Sequence, residues 1–301
     1  MWAVDRENGG EFRASQMNLI LHFGIRTTPE EAETRFHAAI RFGQRYPCRI
    51  IVLCPSEDQE GPALLKAKLF TQCYIGSSLR EMCCCEALML SYATREFVHL
   101  RNQVSVWLEA DLPTCHWFHR VPADRIARQY LEFVHSFRRV LFDSAVEGEG
   151  YSDLDWPHPN RVMDIAGARL LPVKQALGPF LAGFAPETLV EGLEAITFGF
   201  RESFAAEGGH LESWIRGGLH GCLGGEDERL RNIRIERERL ESDAFCMRMV
   251  WKGSEGELLR WEMRPDGHAS IASRFGGKAV DRVQVIEWIS PEVALSESIF
   301  F

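Results

Sequence analysis

Arg49 opens an unbroken apolar run, Ile50-Ile-Val-Leu53, of strand length, closed at once by Cys54-Pro55. A strand with one wet face alternates apolar and polar residues, whereas a strand covered on both faces need not. The run therefore calls for a sheet with a layer of structure on each side. The residues before it supply part of one layer. Thr28-Pro-Glu-Glu31 places a capping hydroxyl, a Pro at the first helical position and a Glu three residues after the cap, which together form a capping box. Ala32, Phe36, Ala39 and Ile40 then fall at helical spacing until Tyr46-Pro47 stops the helix.

The same alternation of element types continues through the first half. Met17–Phe23, Leu69–Ile75, Thr114–Phe118 and Val140–Phe142 read as strands, and Met82–Leu90, open to either strand or helix by pattern, fits the lengths better as a strand. Phe97, Leu100, Val104 and Leu108 mark an amphipathic helix stopped by Asp111-Leu-Pro113, and Ile126, Tyr130, Phe133, Val134 and Phe137 mark another. Strands and helices at these intervals predict an α/β domain whose sheet is covered by helices. A chain of 301 residues exceeds the usual size of one domain. The Gly- and Glu-rich Glu147-Gly-Glu-Gly150 is the expected boundary, giving an N-terminal α/β domain over 1–150 and a C-terminal α+β domain over 151–301.

In that second half Leu170–Phe184 and Leu211–Leu219 read as helices and Glu194–Phe200 as a strand. From Arg229 onward the texture changes to alternating runs punctuated by Gly253, Gly256, Pro265-Asp-Gly267 and Gly276-Gly277, as in hairpins of an antiparallel sheet packed by one or two helices.

A formal net charge of -9 argues against nucleic acid or an anionic membrane as the main ligand, since both require concentrated positive charge. No run approaches the ~20 apolar residues that span a bilayer, and the acidic start lacks the features of a signal peptide, so the cytoplasm is the expected compartment. Nine Cys, three of them consecutive at Cys83-Cys84-Cys85, do not resemble a spaced disulfide framework and predict free thiols. Acidic Glu81 and Glu86 beside that run disfavour a reactive thiolate, which sets a buried strand above a redox-responsive adaptor.

Chemistry-bearing residues gather where apolar runs end. Cys115, His116, His119 and Asp143 are the types a thiol nucleophile, its base and an orienter require, and a hydrolase or transferase using them is the alternative reading. Alternation along a strand sends Cys115 and Trp117 to one face and His116 and Phe118 to the other, which weakens it. Asp143-Ser144 and Asp153, Asp155 fit turn and cap chemistry better than a metal site. No phosphate-binding loop or dinucleotide fingerprint is present, so neither a cofactor nor a metal is expected. The mixed run Arg229–Arg239, with Arg234 inside it, reads as a solvated strand face, with contact to an acidic partner or a phosphate as the sharper reading.

Arg13-Ala-Ser-Gln-Met-Asn-Leu-Ile-Leu21, Tyr46-Pro-Cys-Arg-Ile-Ile-Val-Leu53, Glu109-Ala-Asp-Leu-Pro-Thr-Cys-His-Trp-Phe118, Asp143-Ser144, Asp153-Leu-Asp-Trp156 and Leu211-Glu-Ser-Trp-Ile-Arg-Gly-Gly-Leu219 occur in the order found in the glucose-6-phosphate dehydrogenase assembly protein family, OpcA, which the chain resembles. It departs from that family's pattern at Trp117-Phe118, where two Trp are usual, and at Pro157-His158, where an Arg-Leu pair is usual. The resemblance implies a non-enzymatic partner that binds glucose-6-phosphate dehydrogenase and promotes its active oligomer; it leaves a sugar-phosphate ligand unassigned. Trp117, Trp156, Trp214 and Arg234 are the expected anchors, with Asp143, Asp153 and Asp155 beside them.

Overall fold

The computed structural model describes residues 15–56, 66–75, 82–93, 97–147, 149–223, 228–252, 259–274 and 279–301. The chain divides into two compact units, Met1–Ile165 with Pro291–Phe301, and Ala166–Ser290. The second is thus inserted into the sequence of the first.

In the first unit, β1 (Met17–Phe23), α1 (Pro29–Arg45), β2 (Cys48–Ser56), β3 (Lys66–Ile75), β4 (Met82–Ala93), α2 (Phe97–Trp107) and β5 (Thr114–His119) follow the order expected. A helical segment over 123–134 (α3) contains a π-turn at Ile126–Tyr130, and β6 (Arg139–Phe142), a short α4 (Ser144–Glu147) and β7 (Val162–Asp164) complete the run. The sheet order is β3-β4-β2-β1-β5-β6-β7. Every neighbouring pair is parallel except β3 with β4.

Burial on both faces of β1 and β2 follows from this layering. Register places Leu19, Leu21, Ile50, Val52, Cys115, Trp117 and Leu141 on one face. Helix α1 and the last helix, Pro291–Phe300, each pack on strands of this sheet and on each other, with the Phe42 and Phe300 rings stacked. The opposite face carries Ile20, Ile51, Phe118 and Val140, which share a core with Leu100 and Val104 of α2 and Tyr130, Phe133 and Val134 of α3. The capping box is formed as read: Thr28 Oγ1 accepts from Glu31 N at 3.2 Å while Thr28 N donates to Glu31 Oε2 at 3.1 Å.

In the second unit α5 (Leu171–Leu181), β8 (Leu193–Phe200), α6 (Ala205–Cys222), α7 (Glu228–Arg231) and strands β9 (Arg234–Arg239), β10 (Phe245–Trp251), β11 (Leu259–Met263), β12 (His268–Ser273) and β13 (Val280–Val285) form a sheet ordered β13-β12-β11-β10-β8-β9. Its pairs are antiparallel with one difference from expectation: β8 and β9 are parallel, because α6 lies between them in the chain and returns it to the same end. Leu211, Ile215 and Leu219 of α6 recur every four residues and pack on Ile196, Phe198, Met247 and Trp261 of the sheet. Among the described residues, no helix is long and apolar enough to cross a membrane.

Candidate functional site

Strands β1 and β5 are neighbours at the middle of the first sheet, yet the chain leaves them in opposite directions. From β1 it passes through α1 to β2 on one side, and from β5 through α3 to β6 on the other. Open α/β sheets place ligands at such a point, in the crevice outside the carboxyl ends of the two strands.

Here the crevice is closed by the chain itself. Gly24 N donates to His119 O at 2.6 Å, and a side chain at Gly24 would put its Cβ 1.6 Å from Arg120 O. Arg120 has φ 60, in the left-handed region that a non-glycine residue enters only when neighbours hold it there. Its side chain binds the Glu31 carboxylate, with Nη2–Oε1 at 2.5 Å and Nε–Oε2 at 3.3 Å, and its backbone N donates to Glu147 Oε1 at 2.7 Å. Tyr151 donates its hydroxyl to Val121 O, and Trp156 Nε1 donates to Tyr151 O at 3.0 Å.

These groups sit at different protonation states. The Arg120 guanidinium holds the Glu31 carboxyl below the usual carboxylate range, with the Thr28 N–H helping. Burial pushes Glu147 up to about 7 and lowers His119 to about 4. The His119 side chain is fully buried, its Nε2 4.0 Å from Glu31 Oε2, and neither ring nitrogen has a hydrogen-bond partner among the described residues. The junction holds a charged Glu31–Arg120 pair beside a neutral imidazole.

The thiol–imidazole set is not drawn together. Cys115 shares its face with Trp117, and burial pushes its thiol up to about 11, far from the reactive thiolate. His116, on the other face, has Nε2 3.2 Å from His22 Nδ1. His22 Nε2 in turn lies 2.7 Å from Tyr92 Oη, which is 3.0 Å from Tyr130 Oη. All four side chains are buried, and desolvation drives both imidazoles neutral, His22 to about 3 and His116 well below its ordinary value. Sequence reading singled out neither His22, Tyr92 nor the Glu31–Arg120–Glu147 set, because each depends on pairings far apart in the chain.

The remaining expected site residues separate by exposure. Trp117 and Trp156 are buried, as is Asp143, whose Oδ1 accepts from Ala145 N at 3.2 Å in the turn chemistry read from sequence. Asp153 and Asp155 are exposed. In the second unit Trp214 is half-buried against Gly178 of α5, and Arg234 is exposed with a loose 3.8 Å pair to Glu236. The basic run is a solvated face as read, and its charges are matched: Arg237 binds Glu212, Arg239 faces Glu202, and Glu238 receives Arg248 of the neighbouring strand. Of the cysteine run, Cys85 is a buried thiol on β4 whose Sγ donates to Ile40 O at 3.8 Å; the side chains of Cys83 and Cys84 lie outside the described residues.

Residues 39–155 match the family model described as Glucose-6-phosphate dehydrogenase subunit N-terminal domain, that of the OpcA assembly proteins. The matched stretch runs from within α1 past the β6 junction, and the resemblance read from sequence is borne out by it. No curated protein matches the chain.

Proposed function

Since residues 39–155 match the model of the glucose-6-phosphate dehydrogenase assembly family, we propose that this chain is a non-catalytic cytoplasmic partner of glucose-6-phosphate dehydrogenase that favours the enzyme's active oligomer, at the entry to the oxidative pentose phosphate pathway. The family match carries the reading. The physical requirement is differential affinity: a partner shifts an oligomer equilibrium only as far as it binds one state better than the other. The inert, inward-facing chemistry of β5 fits a scaffold, and no cofactor is invoked.

Exposure sorts the contact residues within this reading. Asp153, Asp155 and Arg234 are exposed and Trp214 is half-buried, which leaves them available to a partner, while Trp117, Asp143 and Trp156 are buried and serve the fold. The test is size-exclusion analysis of the chain mixed with the dehydrogenase from the same cell, alongside an activity assay. A co-eluting complex and a raised fraction of active oligomer are expected; no complex together with unchanged activity and oligomeric state overturns the proposal.

A further inference from the structure

A cavity of about 250 Å³ lies in the second unit at the β8–β9 edge of the sheet, against the second half of α6. Its lining divides by chemistry. Ile196, Leu219 and Ile235 give an aliphatic floor, Ile196 fully buried and Leu219 nearly so, while Arg216 and His220 of α6 and Arg231 of α7 stand around it. We propose that this cavity binds a small amphiphilic anion, a carboxylate or phosphate carried on a short aliphatic body.

The head would be taken chiefly by Arg216. Its Nη1 is 3.5 Å from Glu212 Oε1, whereas Glu212 already receives Arg237 Nε at 2.9 Å through its other oxygen. At that length the i,i+4 pair is loose and Arg216 is exposed, so the guanidinium can turn to a ligand while the largely covered Glu212 keeps its closer partner, Arg237. The carbonyl end of α6 is nearby and disfavours an anion, which leaves the cationic side chains to supply the attraction. A guanidinium fork suits either head group. The body is limited by volume: the space is below the range of most drug-sized pockets, and its wholly aliphatic floor suits a short chain. Residues 39–155 contribute nothing to this site, so it stands apart from the assembly reading.

The test uses the full chain with hexanoate, hexyl phosphate and hexylamine, read by calorimetric titration and thermal shift. Saturable binding of either anion, with no comparable binding of the amine, is expected, and the two anions distinguish the head group. Arg216→Gln, at an exposed position, should weaken anion binding by about tenfold or more without lowering the melting temperature. Ile235→Phe should obstruct the floor. Should that variant unfold, the Arg216→Gln comparison alone decides. Equal binding of amine and anions, no binding of either anion, or anion binding unchanged in Arg216→Gln overturns the proposal.

Discussion

At Gly24 and Arg120 two backbones approach so closely that one residue needs to lack a side chain and the other needs a left-handed turn. Gly24→Ala forces backbone apart rather than a flexible side chain, and is expected to cost about 3 kcal/mol or more in urea denaturation. Arg120→Ala and Arg120→Gly both remove the pair with Glu31, but only glycine adopts φ near +60° freely, so the Gly variant should be the more stable by about 1 kcal/mol. The buried rings give a pH prediction whose sign follows from linkage. His22 and His116 are depressed when folded, so below their unfolded value the unfolded chain binds more protons, and stability falls as pH drops from about 6.5 towards 3. By pH 5 the loss from His22 is on the order of 2 kcal/mol, and His116 adds in the same direction. Glu147 acts in the opposite direction: raised to about 7, it contributes stability below its ordinary value that is lost as pH rises through 7. In Glu147→Gln, which removes that opposing titration, denaturation midpoints that stay flat from pH 7 to 5 would show that the imidazoles are not held neutral.

Elements show where local pattern suffices and where it fails. Helix α1 was legible to its cap because Thr28, Pro29 and Glu31 act on one another across a single turn. The separation of Cys115 from His116 was legible because strand alternation is a two-residue property. By contrast, β7 is three residues long and exists only through pairing with β6, and the parallel β8–β9 pair is set by the crossover rather than by either strand's composition. The His116–His22–Tyr92–Tyr130 chain was invisible for the same reason, its members being scattered from β1 to α3. In the second unit, Arg169 Nε binds the buried Glu207 of α6 at 2.7 Å, tying the segment before α5 to that helix. Arg169→Ala removes this partner from a nearly inaccessible carboxylate, and is expected to cost about 3 kcal/mol, measured as a lower unfolding midpoint. A change under 1 kcal/mol would mean that the other contacts of Glu207 suffice.

Across the whole molecule, the first unit is completed by residues that follow the second. Leu295 and Ile299 of the last helix are buried, Arg41 pairs with Glu292 at 3.1 Å, and Arg139 Nε donates to Ile299 O at 3.4 Å. No sequence pattern in Pro291–Phe300 points back to α1 and β6, since an apolar helix face records that it is buried but not against what. The same helix packs beside β7, whose end leads directly to Ile165, so the inserted unit leaves from and returns to two elements that touch each other. Excising residues 166–290 and joining Ile165 to Pro291 through a short Gly/Ser linker should therefore leave a chain that unfolds in one cooperative transition, since a flexible loop between nearby ends carries little entropy cost. Removing 291–301 as well strips buried Leu295 and Ile299 from the core, and should lower the midpoint of that transition by several degrees. Comparable melts for the two shortened chains would show that the last helix adds nothing to the unit. Mixing the stable shortened chain with glucose-6-phosphate dehydrogenase then locates the proposed contact: retention of binding places it on the unit that carries the family match, and loss shifts it to the inserted sheet with Trp214 and Arg234.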